Sequence, residues 1–369
     1  MRSQLTSGGA ALAGGRSKAW PGERARSPAG WGAALVFLLV AGAGLGCSPS
    51  RSPQSADLSS RLFERVEVIG LRGTGFGQLN KPRSLALDTN DNVYVADMTG
   101  RVQKFSPQGQ ALTFWRLPET DLGKPKGMCR DRAGNIVVVE PHYQRVNHFT
   151  PEGRLVEQWG TRGQAAGQLT LPRAVAVNAR GDIFVSEYTT VDRVQGFSAE
   201  NRKPMVCFGS PGTGQGEFNR AEGIGIGPDD RIYVADSCNH RLQIFSAAGQ
   251  WLKTYGSAGR GLGQLSYPYD VCVDAEGRQY VCEFGNSRIQ IFDAANRPLE
   301  ILGGVGSEPG KLNNPWSLAL DSRGNLYVAD SGNHRVQKFI RRPPEKGSSG
   351  VTPPARTARP AAAGGRSQP

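Results

Sequence analysis

The sequence predicts an all-β fold, a six-bladed β-propeller of four-stranded blades, and three observations predict it. A short apolar segment that ends on an acid, such as Asn325–Asp330, occurs six times. Successive closing acids lie 43, 47, 49, 47 and 47 residues apart, and four to six residues after each one an arginine opens another apolar run. Each repeat holds four such runs, and four-strand units at this period are typical of propellers rather than solenoids.

The four strands of a repeat follow from its apolar runs and turn residues. An inner strand comes after a proline (Pro315–Asp321), and a Gly-containing turn leads to the strand that ends on the acid. The arginine opens the third strand (Arg335–Phe339), and Leu155–Trp159 exemplifies the outer one. These runs are rich in β-branched and aromatic residues and are bounded by Gly, Pro, Asn or Asp, which is the composition of strands and turns.

The inner strands and the chain ends indicate how the ring is built. Large and small side chains alternate, as in Ser84–Leu87, so a large face of one blade can nest on a small face of the next. The last repeat stops at Phe339 without an outer strand, whereas Phe63–Gly70 precedes the first repeat without a partner. We therefore expect this N-terminal strand to complete the last blade and leave no open edge.

Each closing acid is followed by its arginine at hairpin distance, which predicts a cross-strand ion pair in every blade. The alternative, a carboxylate ring that holds a metal, suits a sixfold repeated position less well than a structural role. The six predicted structural pairs are Asp97 with Arg101, Glu140 with Arg145, Glu187 with Arg193, Asp236 with Arg241, Glu283 with Arg288, and Asp330 with Arg335.

The segments Asp236–Phe245 and Asp330–Phe339 resemble the NHL repeat, and the resemblance extends over roughly residues 61–340. Blade 2 departs most, because it lacks the long Gly-rich linker before its inner strand. The resemblance implies a propeller that binds a protein, a peptide or a small ligand. Related six-bladed propellers include lyases and lactonases with a channel metal, so such an enzyme is the alternative function, and RNA binding is a lesser one.

No set of metal ligands converges in the sequence. His240 and His334 occupy the repeat position before the arginine, and His142 and His148 lie elsewhere in blade 2. We therefore expect no metal, no other cofactor and no catalytic residue. Cys272 and Cys282 flank one turn of blade 5; free thiols are expected, and a disulfide is the alternative.

A binding site is predicted where the repeats diverge, at the position after the proline that opens each inner strand. Inner-strand starts lie near one mouth of a propeller channel, so these side chains should form a rim suited to an anionic, aromatic or peptide ligand. The six rim residues are Arg83, Lys126, Arg173, Glu222, Tyr269 and Trp316.

The N-terminal region predicts export and membrane attachment. A basic stretch precedes the apolar run Trp31–Gly46, which is short for a membrane span and is typical of a secretory signal. Gly44–Cys47 resembles the lipobox of bacterial lipoproteins, although Leu45 stands two residues before the cysteine rather than three. This implies lipidation of Cys47 and a place at the outer membrane or periplasmic face. Ordinary cleavage and an uncleaved signal anchor are the alternatives.

Four regions are thus predicted: a signal peptide at 1–46, the lipidated cysteine and a flexible spacer at 47–60, the propeller at 61–340, and a disordered basic tail at 341–369. Of the net charge of +12, residues 1–57 carry +4 and residues 341–369 carry +5, so the body of the protein, residues 58–340, carries only +3. A nearly balanced body does not favour a nucleic-acid partner. A monomer is expected.

Overall fold

Six antiparallel sheets arranged as the blades of a ring form the body of the protein. The structure is a computed structural model that describes residues 55–343. Five sheets contain four strands in chain order, from the channel outward, and the sixth contains five strands. The predicted all-β, six-bladed propeller is therefore confirmed.

The strands of blades 1 to 3 have the following bounds, from the inner to the outer edge. Blade 1 contains Ser84–Leu87, Val93–Ala96, Arg101–Phe105 and Ala111–Arg116. Blade 2 contains Met128–Arg130, Ile136–Glu140, Arg145–Phe149 and Leu155–Trp159. Blade 3 contains Pro172–Val177, Ile183–Glu187, Arg193–Phe197 and Pro204–Phe208.

Blades 4 and 5 repeat this plan. Blade 4 contains Ala221–Ile226, Ile232–Asp236, Arg241–Phe245 and Trp251–Tyr255. Blade 5 contains Pro268–Val273, Gln279–Glu283, Arg288–Phe292 and Pro298–Gly303. Three single turns of 3₁₀ helix follow the closing acids of blades 2, 4 and 6, at Pro141–Tyr143, Ser237–Asn239 and Ser331–Asn333.

Blade 6 is built from both ends of the described chain. Its inner strands are Leu318–Leu320, Leu326–Asp330 and Arg335–Arg341. The strand Phe63–Ile69 pairs antiparallel with Arg335–Arg341, so the N-terminal strand closes the ring as predicted. Phe63 is fully buried and packs edge-on against Tyr280 and Phe339, with ring centroids 6.3 and 6.1 Å apart.

Ordered structure begins earlier than the sequence indicated. Ser55–Asp57, inside the predicted spacer 47–60, adds a fifth strand to blade 6 by pairing with residues 65–67. The Ser60 hydroxyl then accepts the backbone N–H of Phe63 at 3.0 Å. The predicted signal peptide, Cys47 and most of the predicted basic tail lie outside the described residues. Among residues 55–343 no helix is long and apolar enough to cross a membrane.

The hydrophobic core is divided among the interfaces between blades. Six clusters of buried residues lie in the ring, and each joins two neighbouring blades. The cluster between blades 6 and 1, for example, joins Tyr327 and Val336 to Leu85 and Phe105. No blade buries its apolar faces alone, because each face needs the neighbouring sheet.

The repeated acid and arginine stand at hydrogen-bonding distance in every blade. From blade 1 to blade 6 the shortest N–O distances in the salt-bridge geometry are 3.2, 2.6, 2.8, 2.6, 2.5 and 2.7 Å. In blade 1 the Arg101 guanidinium also donates to the linker carbonyls of Thr74, Gly75 and Gln78, at 2.6, 3.0 and 2.7 Å. The arginine therefore fastens the Gly-rich linker onto its own blade as well as pairing with the acid.

The linker depends on glycine at the first of these turns. Gly73 has a φ of +154°, and a Cβ there would collide with the side chain of Gln78. Gly163, Gly212 and Gly259 hold the same place in blades 3, 4 and 5, with φ of +154°, +156° and +152°. The Gly-rich stretches are thus turns that present carbonyls to the repeated arginine.

Candidate functional site

The inner strands of all six blades enclose a central channel with a volume of about 370 Å³. Its two ends differ in chemistry, because each strand contributes its first residues to one mouth and its last residues to the other. The last residues are Leu87, Arg130, Val177, Ile226, Val273 and Leu320, five of them aliphatic. Charge and aromatic side chains gather at the opposite mouth.

The structure brings all six predicted rim residues together at that mouth, where they line the channel. Trp316 lies at their centre. The guanidinium carbon of Arg83 and Nζ of Lys126 each stand 4.4 Å from its ring centroid, and the guanidinium carbon of Arg173 stands 5.6 Å away. Cations from three successive blades therefore share one indole ring, an arrangement in which each cation is attracted by the ring and repelled by its neighbours.

Glu222 pairs with two of the arginines at the mouth. Its carboxylate accepts Nε of Arg173 at 2.5 Å and Nε of Arg220 at 2.5 Å. Arg173 and Glu222 are only 4% and 5% exposed. The sequence predicted both as rim residues, and in the structure they form one buried ion pair.

The remaining cations have no such partner. Within residues 55–343, Arg83 and Lys126 form no salt bridge, since Glu222 is shared by Arg173 and Arg220. Both side chains are partly buried against Trp316. The mouth therefore carries positive charge that the protein does not neutralise.

Three residues that the sequence analysis missed complete the mouth. Arg220 donates to the Tyr269 hydroxyl at 3.3 Å, and Tyr188 lies beneath the guanidinium groups of Arg173 and Arg220. Phe284 stacks on Tyr269 with ring centroids 4.4 Å apart and planes 15° apart. Tyr188 and Phe284 each follow a closing acid, another position that diverges among the repeats.

Burial and crowding change the protonation equilibria of the free cations. Burial, together with the positive charges of Arg173 and Arg83, lowers the pKa of Lys126 to about 6. Burial and the nearby Arg173 lower the pKa of Arg83 to about 10. A charge that is desolvated and surrounded by like charges is disfavoured, and an arriving anion would offset the repulsion between the like charges.

Deeper in the channel the wall carries one carboxyl group and two thiols. The Asp270 carboxylate accepts the backbone N–H groups of Val271 and Leu318, each at 2.9 Å, and so ties blade 5 to blade 6. Burial raises the pKa of Asp270 to about 6. Cys129 and Cys272 also line the channel, and Cys272 and Cys282 are free thiols rather than a disulfide.

Three of the four histidines have local partners. His148 is buried, bonds Asp131 at 3.0 Å through Nδ1, and accepts the Trp159 indole N–H at 3.1 Å. Nδ1 of His240 and of His334 accepts a backbone N–H of the following blade, from Tyr267 and from Lys81, each at 3.2 Å. Throughout residues 55–343, no three His, Cys, Asp or Glu side chains form a group that could hold a metal ion.

Comparisons with known proteins agree with the fold. The model of the NHL repeat matches residues 218–245 and 312–339. No curated protein matches the sequence. Among solved structures, a gluconolactonase from Xanthomonas campestris is similar with a TM-score of 0.55 and 14% identity, over 75% of this chain and 90% of that one.

Two further structures are similar in the same way. A virginiamycin B lyase from Staphylococcus aureus has a TM-score of 0.53 and 13% identity, over 74% of this chain and 98% of that one. A Bacteroides thetaiotaomicron protein of unknown function has a TM-score of 0.59 and 16% identity, over 75% of this chain and 76% of that one. At these identities the likeness shows the fold alone.

Proposed function

Because this chain is a six-bladed β-propeller with NHL repeats, we propose that it is a binding module at the cell envelope. Its channel mouth binds a ligand that carries an anionic group on a flat or apolar scaffold. The observation that carries the proposal is the pair of basic side chains on the face of Trp316, Arg83 and Lys126, for which residues 55–343 supply no carboxylate partner. A ligand with one negative charge would pair with the Arg83 guanidinium and accept a hydrogen bond from the Lys126 amine.

The size and lining of the channel suit a small ligand or the end of a peptide. A volume of about 370 Å³ falls in the range of small-molecule sites, which combine apolar walls with a few placed polar groups. Tyr269, Phe284 and Trp316 offer ring faces and edges beside the cations. A carboxylate on an aromatic or aliphatic body matches both features.

Calorimetric titration with benzoate and with benzamide tests the charge requirement. The two probes have similar shape and differ in charge, so we expect benzoate to bind more tightly and its affinity to fall with added salt. Arg83→Gln should weaken benzoate binding by about tenfold, the effect of one charge-assisted hydrogen bond, and leave the melting temperature nearly unchanged. Equal affinity for the two probes, or no benzoate binding, would contradict the proposal.

Arg130→Gln is the matched control for that experiment. Arg130 ends the inner strand of blade 2 at the opposite mouth and is exposed. Its replacement removes the same charge from the same channel and should leave benzoate binding unchanged. A comparable loss in both variants would assign the effect to net charge rather than to this mouth.

The envelope location rests on the N-terminal sequence, and Cys47 provides its test. Cys47→Ser should shift the protein from the membrane fraction to the soluble periplasmic fraction of a bacterial host, because the thiol that carries the lipid is gone. Unchanged membrane association of the variant would favour an uncleaved anchor. A wild-type protein that is already soluble would favour ordinary cleavage.

An enzyme of the lactonase or lyase kind is the second candidate, favoured by the similar structures that carry those names. It predicts turnover of a lactone or of virginiamycin B, and a bound metal in protein purified from its host. Benzoate binding without turnover or metal would favour the binding module.

A further inference from the structure

We propose that Lys126 is a nucleophilic amine that forms a reversible imine with a 2-oxo acid bound at the channel mouth. This inference rests on the proposed anion site, because Arg83 would hold the carboxylate of the 2-oxo acid while Lys126 meets the adjacent carbonyl. It adds a covalent step and a substrate class to that site.

The surroundings of Lys126 are those of a lysine held without its proton. Nζ stands over the Trp316 ring, and Arg83 and Arg173 approach the same ring from the neighbouring blades. Within residues 55–343 no carboxylate pairs with Lys126, since both oxygens of Glu222 are engaged by arginines. Burial and neighbouring cations lower the pKa of Lys126 to about 6, so most molecules carry the neutral amine at pH 7.

Lys104 shows what a charge-paired lysine looks like in the same fold. It also stands over an aromatic ring, 5.1 Å from the centroid of Tyr94, but its Nζ pairs with Asp88 at 3.2 Å. The ring is therefore not the distinguishing feature. The absence of a carboxylate and the presence of arginines set Lys126 apart.

The reaction balances without any further reagent. The lone pair of Nζ attacks the carbonyl carbon, the C–N bond forms, and the carbonyl oxygen gains a proton as nitrogen loses one. The resulting carbinolamine then loses its hydroxyl group together with the remaining proton on nitrogen, as water, when the C=N bond forms. The sum is amine plus carbonyl giving imine plus water, and hydrolysis reverses it.

Reductive trapping tests the inference. The protein is incubated with pyruvate and sodium cyanoborohydride at pH 7, and the modified lysine is located by peptide mass spectrometry. We expect one adduct of reduced pyruvate on Lys126 and none on Lys104. As the pH is raised, the trapping rate should level off near neutral pH, as expected for a lysine with a pKa of about 6. For a lysine with the ordinary pKa of 10.5, the rate would keep rising well above neutral pH.

Two variants and one competitor separate the possible outcomes. Lys126→Arg introduces a guanidinium and Lys126→Met an uncharged chain of similar length, and both should lose the adduct while melting cooperatively. Benzoate should slow trapping by competing for Arg83. Scattered labelling of exposed lysines, or trapping that survives in Lys126→Met, would overturn the inference. Benzoate binding without trapping would also overturn the inference but leave the anion-binding proposal standing. If the protein neither bound benzoate nor was trapped by pyruvate, both proposals would be overturned.

Discussion

Deletion of residues 55–70 should abolish the cooperative unfolding transition and cause aggregation. These residues supply the two outer strands of blade 6, and Phe63–Ile69 pairs with residues 336–341 of the neighbouring strand. Their loss would expose the edge of that strand to other chains and uncover the cluster to which Phe63 and Val66 belong. Thermal melting and size-exclusion chromatography of the purified variant measure both effects.

Two comparisons make this result specific to closure. Deletion of residues 344–369 removes a longer stretch, 26 residues that follow the described part of the chain, and should change the melting temperature little. Phe63→Ala keeps the strand and should cost about 3–5 kcal/mol of unfolding free energy, the usual range for a buried aromatic ring. If both deletions shift the melting temperature equally, the N-terminal strand does not close the ring.

Replacement of Arg101 should cause the second large loss of stability. Arg101 is 2% exposed and pairs with Asp97, which is fully buried. Arg101→Met would leave that carboxylate without its cation and the linker carbonyls without their donors. Breaking a buried pair on one side costs about 3–5 kcal/mol, and urea titration of the unfolding midpoint measures it.

Arg145 occupies the same repeat position in blade 2 and provides the matched comparison. Blade 2 lacks the Gly-rich linker, and Arg145 instead reaches the exposed Glu119 at 3.2 Å. One oxygen of Glu140 and one nitrogen of Arg145 have no hydrogen-bond partner in the part of the chain that the structure describes, so this pair is less well satisfied. Arg145→Met should therefore lower the free energy of unfolding clearly less than Arg101→Met does. Equal losses of unfolding free energy in the two variants would mean that the contacts between Arg101 and the linker contribute nothing.

The repeats made most of the fold predictable from the sequence. The spacing of the acids and arginines sets the strand order and the hairpins, because one geometry must satisfy six similar segments. The fifth strand of blade 6, Ser55–Asp57, was not predictable in this way. It has no counterpart in the other blades, and its composition is that of a spacer.

The site was predictable as a set of positions and not as a set of contacts. Divergence among the repeats singled out the rim, and the same criterion applied after each closing acid would have found Tyr188 and Phe284. The pairing of Arg173 with Glu222 depends on side-chain directions in neighbouring blades, which one sequence does not specify. The same holds for Arg83 and Lys126: that residues 55–343 offer them no carboxylate partner is apparent only in the structure.

The way blade 6 is assembled has a consequence for the order of events during synthesis. Phe63–Ile69 is made near the start of the chain, while its partner Arg335–Arg341 is made near the end. Until the partner leaves the ribosome, the early strand has no sheet to join, and the buried surfaces between blades 6 and 1 cannot form. The first long strand to be synthesised is therefore among the last to fold, and the nascent chain must be protected from aggregation over that interval.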